Sequence, residues 1–121
     1  MDNKTLVERF YEDVFNNGRL EKVEEYVAVD YIQHNPHVAT GRDGFTAFIR
    51  KFLERGPQVE IVDMAADGDR VYAFFKCTFS DGSVNKVCDI YRIEHAMLAE
   101  HWDIVERNVE TTESVNDNGL F

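Results

Sequence analysis

After Gly56-Pro57 the apolar residues stop recurring at helical spacing and begin to alternate, and the alternation persists through Glu106. Successive side chains of an extended chain point to opposite faces, so a period of two marks strands. Four such stretches stand out: Gln58 to Ala65, Arg70 to Phe79, Asn85 to Glu94 and Met97 to Glu106. The separators are Asp67-Gly68 and Asp81-Gly82, both strong hairpin signals, and then His95-Ala96, a weak one. Short separators of this kind predict an antiparallel meander.

The stretch Arg70 to Phe79 sends Val71, Ala73, Phe75, Cys77 and Phe79 to one face, and Tyr72, Phe74, Lys76 and Thr78 to the other. A sheet with one wet face alternates more cleanly than this, so both sides are expected to be covered. Helices can cover one side. Leu6, Phe10 and Val14 with Val7, Tyr11 and Phe15 form an apolar stripe at helical spacing, with Thr5 and Glu8 at capping-box distance and Asn16-Asn17-Gly18 as the stop. Leu20, Val23 and Val27 predict a short second helix, and Tyr31 to His37 a short extended segment in which Asn35, before Pro36, is biased away from helix. Phe45, Phe48, Ile49, Phe52 and Leu53 predict a third helix opened at Thr40 and closed by Gly56-Pro57. Three helices leave the other sheet face for a subunit, and a homodimer through the sheet is the expectation.

At 121 residues and 44% apolar content the chain has the size of one domain with a real core, residues 1–121, with a polar, frayed tail over about 108–121. The 23 acidic against 13 basic residues, net −10, argue against nucleic acid and against anionic membrane, since both require a basic face. Cys77 and Cys88 lie inside strand-like runs without CxxC spacing, which predicts reduced, buried thiols. The opening MDNKTLVERF reads as a polar helix start rather than a signal peptide, and a cytoplasmic location is expected.

Chemistry concentrates in Glu100-His101-Trp102-Asp103, where His101 and Asp103 share one strand face. Asp89 on the preceding strand joins them in one register only. A two-residue turn at His95-Ala96 sets Ile93 opposite Leu98 and Asp103 opposite Cys88. A three-residue loop sets Asp89 opposite Asp103 and Tyr91 opposite His101, gathering two carboxylates, an imidazole and a phenol on one face. The second register also leaves Trp102 and Ile104 together on the far side, and it is the preferred one. Two carboxylates in one cavity disfavour each other's charge, so one of them is expected to exchange a proton near neutrality, as carbonyl chemistry requires. The other reading is that these groups only hydrogen-bond one another and tie loop to sheet. His34, His37, His101 and Asp103 are also metal-ligand types, but no short helical pair such as HExxH supports a metal site. No GxSxG is present, and the cysteines carry no activating neighbour.

Tyr31-Ile32-Gln33-His34-Asn35-Pro36, Gly41-Arg42-Asp43-Gly44-Phe45, and Val87 to Glu94 running on to Glu100-His101-Trp102-Asp103 resemble the SnoaL-like polyketide cyclases of the NTF2-like superfamily. The resemblance covers the chain from its first helix to about Glu106. It implies an α+β cone, a curved antiparallel sheet wrapped around three N-terminal helices and enclosing an apolar cavity, commonly dimeric through the sheet. It also implies an acid/base aldol or isomerase chemistry on a small apolar carbonyl compound, with neither metal nor organic cofactor. Asp103 matches the acid/base aspartate, with His34 as the second catalytic candidate. His101, Asp89, Tyr91, Tyr11 and Asn35 are the binding candidates. A non-catalytic protein holding an apolar ligand in the same cavity is the alternative reading.

Overall fold

The computed structural model describes residues 1–121. Helix α1 (Asn3–Phe10) is capped by Asp2, whose carboxylate accepts the Thr5 N–H at 2.8 Å. The capping pair expected at Thr5 and Glu8 therefore lies one turn inside the helix, because Asp2 already supplies the acceptor. The helix widens into π-type turns over Tyr11–Asn16 and stops at Gly18, which takes φ +64. The expected second helix is shorter, α2 (Val23–Tyr26), because at Val27 the chain goes over into strand β1 (Val27–Gln33). Helix α3 (Gly41–Phe52) follows, and Gly56 at φ +63 ends its last turn.

The four predicted strands are present as β2 (Gln58–Asp67), β3 (Arg70–Thr78), β4 (Val84–Glu94) and β5 (Met97–Glu106), in an antiparallel meander. A fifth member joins them. Strand β1 lies parallel to β5, giving the order β1-β5-β4-β3-β2. Its connection back to the sheet runs through α3 and three hairpins, and no local pattern announces it.

The helices pack on one face of this curved, unclosed sheet, against Val71, Ala73 and Phe75 of β3, Val87 and Tyr91 of β4, and Leu98 of β5. Phe10, Val14 and Ile49, all fully buried, are the helical half of that core. Burying side chains of this size contributes about 1.5–3 kcal/mol each before chain entropy is counted. Gly44 marks where α3 approaches its own lead-in most closely: a Cβ there would sit 2.0 Å from the Ala39 carbonyl oxygen. Beyond β5, Val109 is buried and the Phe121 ring stacks on Phe74 at 6.0 Å. No helix is long and apolar enough to cross a membrane.

The β4–β5 hairpin combines the two registers that the sequence leaves open. The turn is the two-residue one, with His95 at φ 52 and Ala96 at φ 58, and it sets Ile93 opposite Leu98. One strand position later Arg92 faces Glu100, so Ala99 is an extra residue in β5, a β-bulge. Past the bulge Tyr91 faces His101 and Asp89 faces Asp103. A slip of one residue exchanges the two faces of a strand. Ala99 therefore turns His101 and Asp103 inward and Glu100 and Trp102 outward.

Candidate active site

A cavity of about 230 Å³ lies between the helices and the inner face of the sheet. Phe15, Phe45, Phe48, Phe52 and Phe75 line its apolar part, and Tyr31, Gln33, Asn35, Asp89, Tyr91, His101 and Asp103 its polar part. Gln33 and Asn35 reach it because β1 runs beside β5, with Gln33 opposite His101. Thr40, at the start of α3, secures that placement: its hydroxyl donates to the Tyr31 carbonyl at 3.0 Å and accepts the Gln33 N–H at 3.2 Å.

Asp89 is the most heavily hydrogen-bonded group. One carboxylate oxygen accepts the hydroxyls of Tyr11 at 2.6 Å and Tyr91 at 2.9 Å, and the other lies 2.9 Å from His101 Nε2. On the far side of the imidazole, Nδ1 is 2.8 Å from Gln33 Oε1. That oxygen also accepts the Asn35 backbone N–H at 2.9 Å, which can only donate, so the amide orientation is determined. His101 must then carry its proton on Nδ1, and the Nε2–Asp89 contact holds one further proton between base and acid. Burial opposes charge on His101, but the Asp89 carboxylate and its hydrogen bond outweigh burial, Asp103 adds to them, and the pKa rises above the usual 6.5. Burial, reinforced by Asp89, holds the hydroxyls of Tyr11, Tyr31 and Tyr91 protonated far above the ordinary phenol range. These phenols are permanent donors.

Asp103 is held differently. Its Oδ2 accepts the Asn35 amide at 2.8 Å, and Oδ1 has no partner in the protein. Half-buried and lining the cavity, it offers one fixed and one free oxygen. Tyr31 is its counterpart: 1% exposed, with Gln33 as a polar neighbour, its hydroxyl donates to no protein acceptor. A free carboxylate oxygen and a free phenolic donor in one apolar cavity can respectively take a proton from carbon and hydrogen-bond the oxygen that gains charge.

The predicted site residues do not all arrive there. Asp103, His101, Asp89, Tyr91 and Asn35 line the cavity, while Tyr11 stands behind Asp89 and holds it. His34 is on the opposite face. Alternation along β1 turns Gln33 inward and the next residue outward. The His34 imidazole pairs with Glu100 Oε2 at 2.7 Å and stacks on Trp102 at 4.8 Å, in ring planes 3° apart. His34 is thus neither a cavity residue nor a partner for Asp103, and with it falls the metal set His34, His37, His101 and Asp103. Asp89, His101 and Asp103 do bring ligand atoms within 4.8 Å of one another. Both His101 nitrogens are already committed, however, so coordination there would break one of those bonds. Tyr31 and Gln33 were legible as inward residues from the period of two in Tyr31-Ile32-Gln33-His34-Asn35, provided the inward parity was known.

The curved sheet over three helices, with a polar cluster at the bottom of an apolar cavity, is an α+β NTF2-like fold. The family model of the SnoaL-like domain matches residues 7–101, and the chain belongs to that family. Similar solved structures include a SnoaL-like polyketide cyclase from Agrobacterium tumefaciens, 18% identical, with a TM-score of 0.72 over 91% of this chain and 97% of that one. TsrD from Streptomyces laurentii is 23% identical, with a TM-score of 0.73 over 88% and 91% of the two chains. A candidate ketosteroid isomerase from Kribbella flavida is 18% identical, with a TM-score of 0.75 over 94% and 90%. No curated protein matches the sequence.

Proposed function

We propose that the protein is a cofactor-independent acid/base enzyme of the cyclase or isomerase type, acting on a small apolar carbonyl compound. The observation that carries this reading is the free Oδ1 of Asp103, fixed through its other oxygen by Asn35 and facing an aromatic cavity. Asp103 takes the proton from the carbon next to the carbonyl. The electron pair moves onto the carbonyl oxygen, where the Tyr31 hydroxyl donates a hydrogen bond to the developing enolate. The proton then returns from Asp103 either to a different carbon, an isomerisation, or to the alkoxide formed when the enolate carbon attacks a second carbonyl, an aldol closure. His101 and Asp89, bonded to each other, hold the strand positions beside Asp103 rigid. The names of the polyketide cyclase and ketosteroid isomerase neighbours support both outcomes.

Exchange of the methyl protons of 2-acetylnaphthalene in D2O, followed by NMR, tests the reading without the natural substrate. Exchange by the protein should fall about 100-fold or more in Asp103→Asn, the usual contribution of a positioned base. Equal exchange by both proteins would remove Asp103 from the chemistry. Binding without exchange by either would favour a carrier of apolar ligands. The same outer face that carries Trp102 exposes Ile32, Tyr72 and Ile104, which supports a homodimer through the sheet. Sedimentation equilibrium should then give twice the 14.0 kDa chain mass, and a single chain mass rules the dimer out.

A further inference from the structure

The acid/base groups occupy one end of the cavity, and the other end has its own chemistry. Beyond Asp103 the cavity is lined by Val105 on β5 and then by Arg107, the first residue after the strand, four residues or about 13 Å of extended chain from Asp103. Val87 and Asn85 are the corresponding positions on β4, and Phe75 and Cys77 on β3. Arg55 comes to the same end from the last turn after α3, its guanidinium lying 3.8 Å above the Phe79 ring. Arg55 and Arg107 both line the cavity. Neither takes part in any of the protein's ion pairs, although acids outnumber bases 23 to 13 in the chain. Arg92, by contrast, is paired with both Glu94 and Glu100.

Asn85 lines the cavity with the two arginines. Asn85 is 8% exposed. Its Oδ1 accepts the Asn108 backbone N–H at 3.2 Å, so its amide nitrogen is the atom left over, and it donates to nothing in the protein. That nitrogen opens onto the cavity, where it can donate to a ligand. Two guanidiniums and an amide, all donors, with no carboxylate paired to them, form a receptor for an anion.

We propose that the ligand of this cavity is an amphiphilic anion: a carbonyl group at the Asp103 end, an aromatic or otherwise flat apolar body against the phenylalanines, and a carboxylate held by Arg55, Arg107 and Asn85. The proposal deepens the acid/base reading and relies on it only for which end of the ligand carries the carbonyl. The anion end sets affinity and orientation. It presents the enolisable carbon to Asp103 and discriminates against neutral compounds of the same shape.

A matched pair of probes isolates the anion: 6-acetyl-2-naphthoate and 2-acetylnaphthalene, identical in ring and ketone and differing in the carboxylate. Titration calorimetry of the wild-type protein should give about tenfold or tighter binding of the naphthoate, an advantage that shrinks as salt is added. In the double variant Arg55→Gln, Arg107→Gln, two exposed positions whose exchange leaves the core intact, the advantage should vanish while the neutral ketone binds as before. Equal affinity of the two probes for the wild type, binding of neither, or an advantage that survives the double variant would each overturn the proposal. Asp103→Asn separates the two ideas. If it exchanges protons as fast as the wild type yet still prefers the naphthoate, the acid/base reading fails and the anion site stands.

Discussion

Replacing Asp89 in two ways separates the structural value of its hydrogen bonds from that of its charge. Asp89→Ala removes the acceptor of the Tyr11 and Tyr91 hydroxyls and of His101, all in a site where Asp89 itself is 5% exposed. The two hydroxyls are 3.1 Å apart and can satisfy one another in part, so about two buried polar groups are orphaned. At about 1–3 kcal/mol each, and with a buried ion pair broken, the expected cost is about 3–5 kcal/mol. For 121 residues the unfolding entropy converts this to about 4 °C of Tm per kcal/mol, a loss of about 12–20 °C. Asp89→Asn keeps the shape. Its oxygen accepts from the tyrosines and its amide donates to Nε2, which is bare once His101 is neutral with its proton on Nδ1. That variant should cost only about 1–2 kcal/mol at pH 8. The pH dependence then changes sign. In the wild type the His101 pKa is raised above 6.5, so its stabilisation is complete below about 6.5 and is lost as the pH rises through the folded-state value. In Asp89→Asn the burial that opposes charge on His101 has lost its main counterweight, the folded-state pKa falls below 6.5, and stability is lost as the pH falls. Thermal melts of the three proteins between pH 5 and 8 measure both effects. Equal losses for Asn and Ala, or parallel pH profiles for wild type and Asp89→Asn, would refute the assigned tautomer and the Asp89–His101 pairing.

Ala96 holds a left-handed conformation at φ 58 in the second position of the β4–β5 turn, where its Cβ crowds the backbone. Ala96→Gly should raise stability by about 1 kcal/mol in urea unfolding without altering the register, and a destabilised variant would mean that the turn is not strained. His34→Ala leaves Trp102, the single tryptophan, without its stacking partner and Glu100 without one of its two side-chain partners, His34 and Arg92. Tryptophan emission should change while binding of 2-acetylnaphthalene stays within about twofold, since surface pairs of this kind are worth at most about 1 kcal/mol. A large loss of binding would return His34 to the cavity.

Strands β2 to β5, helix α3, and the common face of His101 and Asp103 were all legible in the chain, because each depends on a period of two or 3.6 or on Gly-marked turns within a few neighbouring residues. The acidic balance and the aromatic residues on both faces of β3 were equally local facts. Tertiary structure decided the rest. The bulge at Ala99 decided which strand face looks inward, reconciling a two-residue turn with the Asp89–Asp103 pairing, and one inserted residue leaves no mark in composition or spacing. Pairing of β1 with β5, across 68 residues from Gln33 to His101, decided that Gln33 and Asn35 would orient the imidazole and the carboxylate and that His34 would face away. Local sequence sets how a strand alternates. Only the strand lying beside it determines which of its two faces meets the cavity.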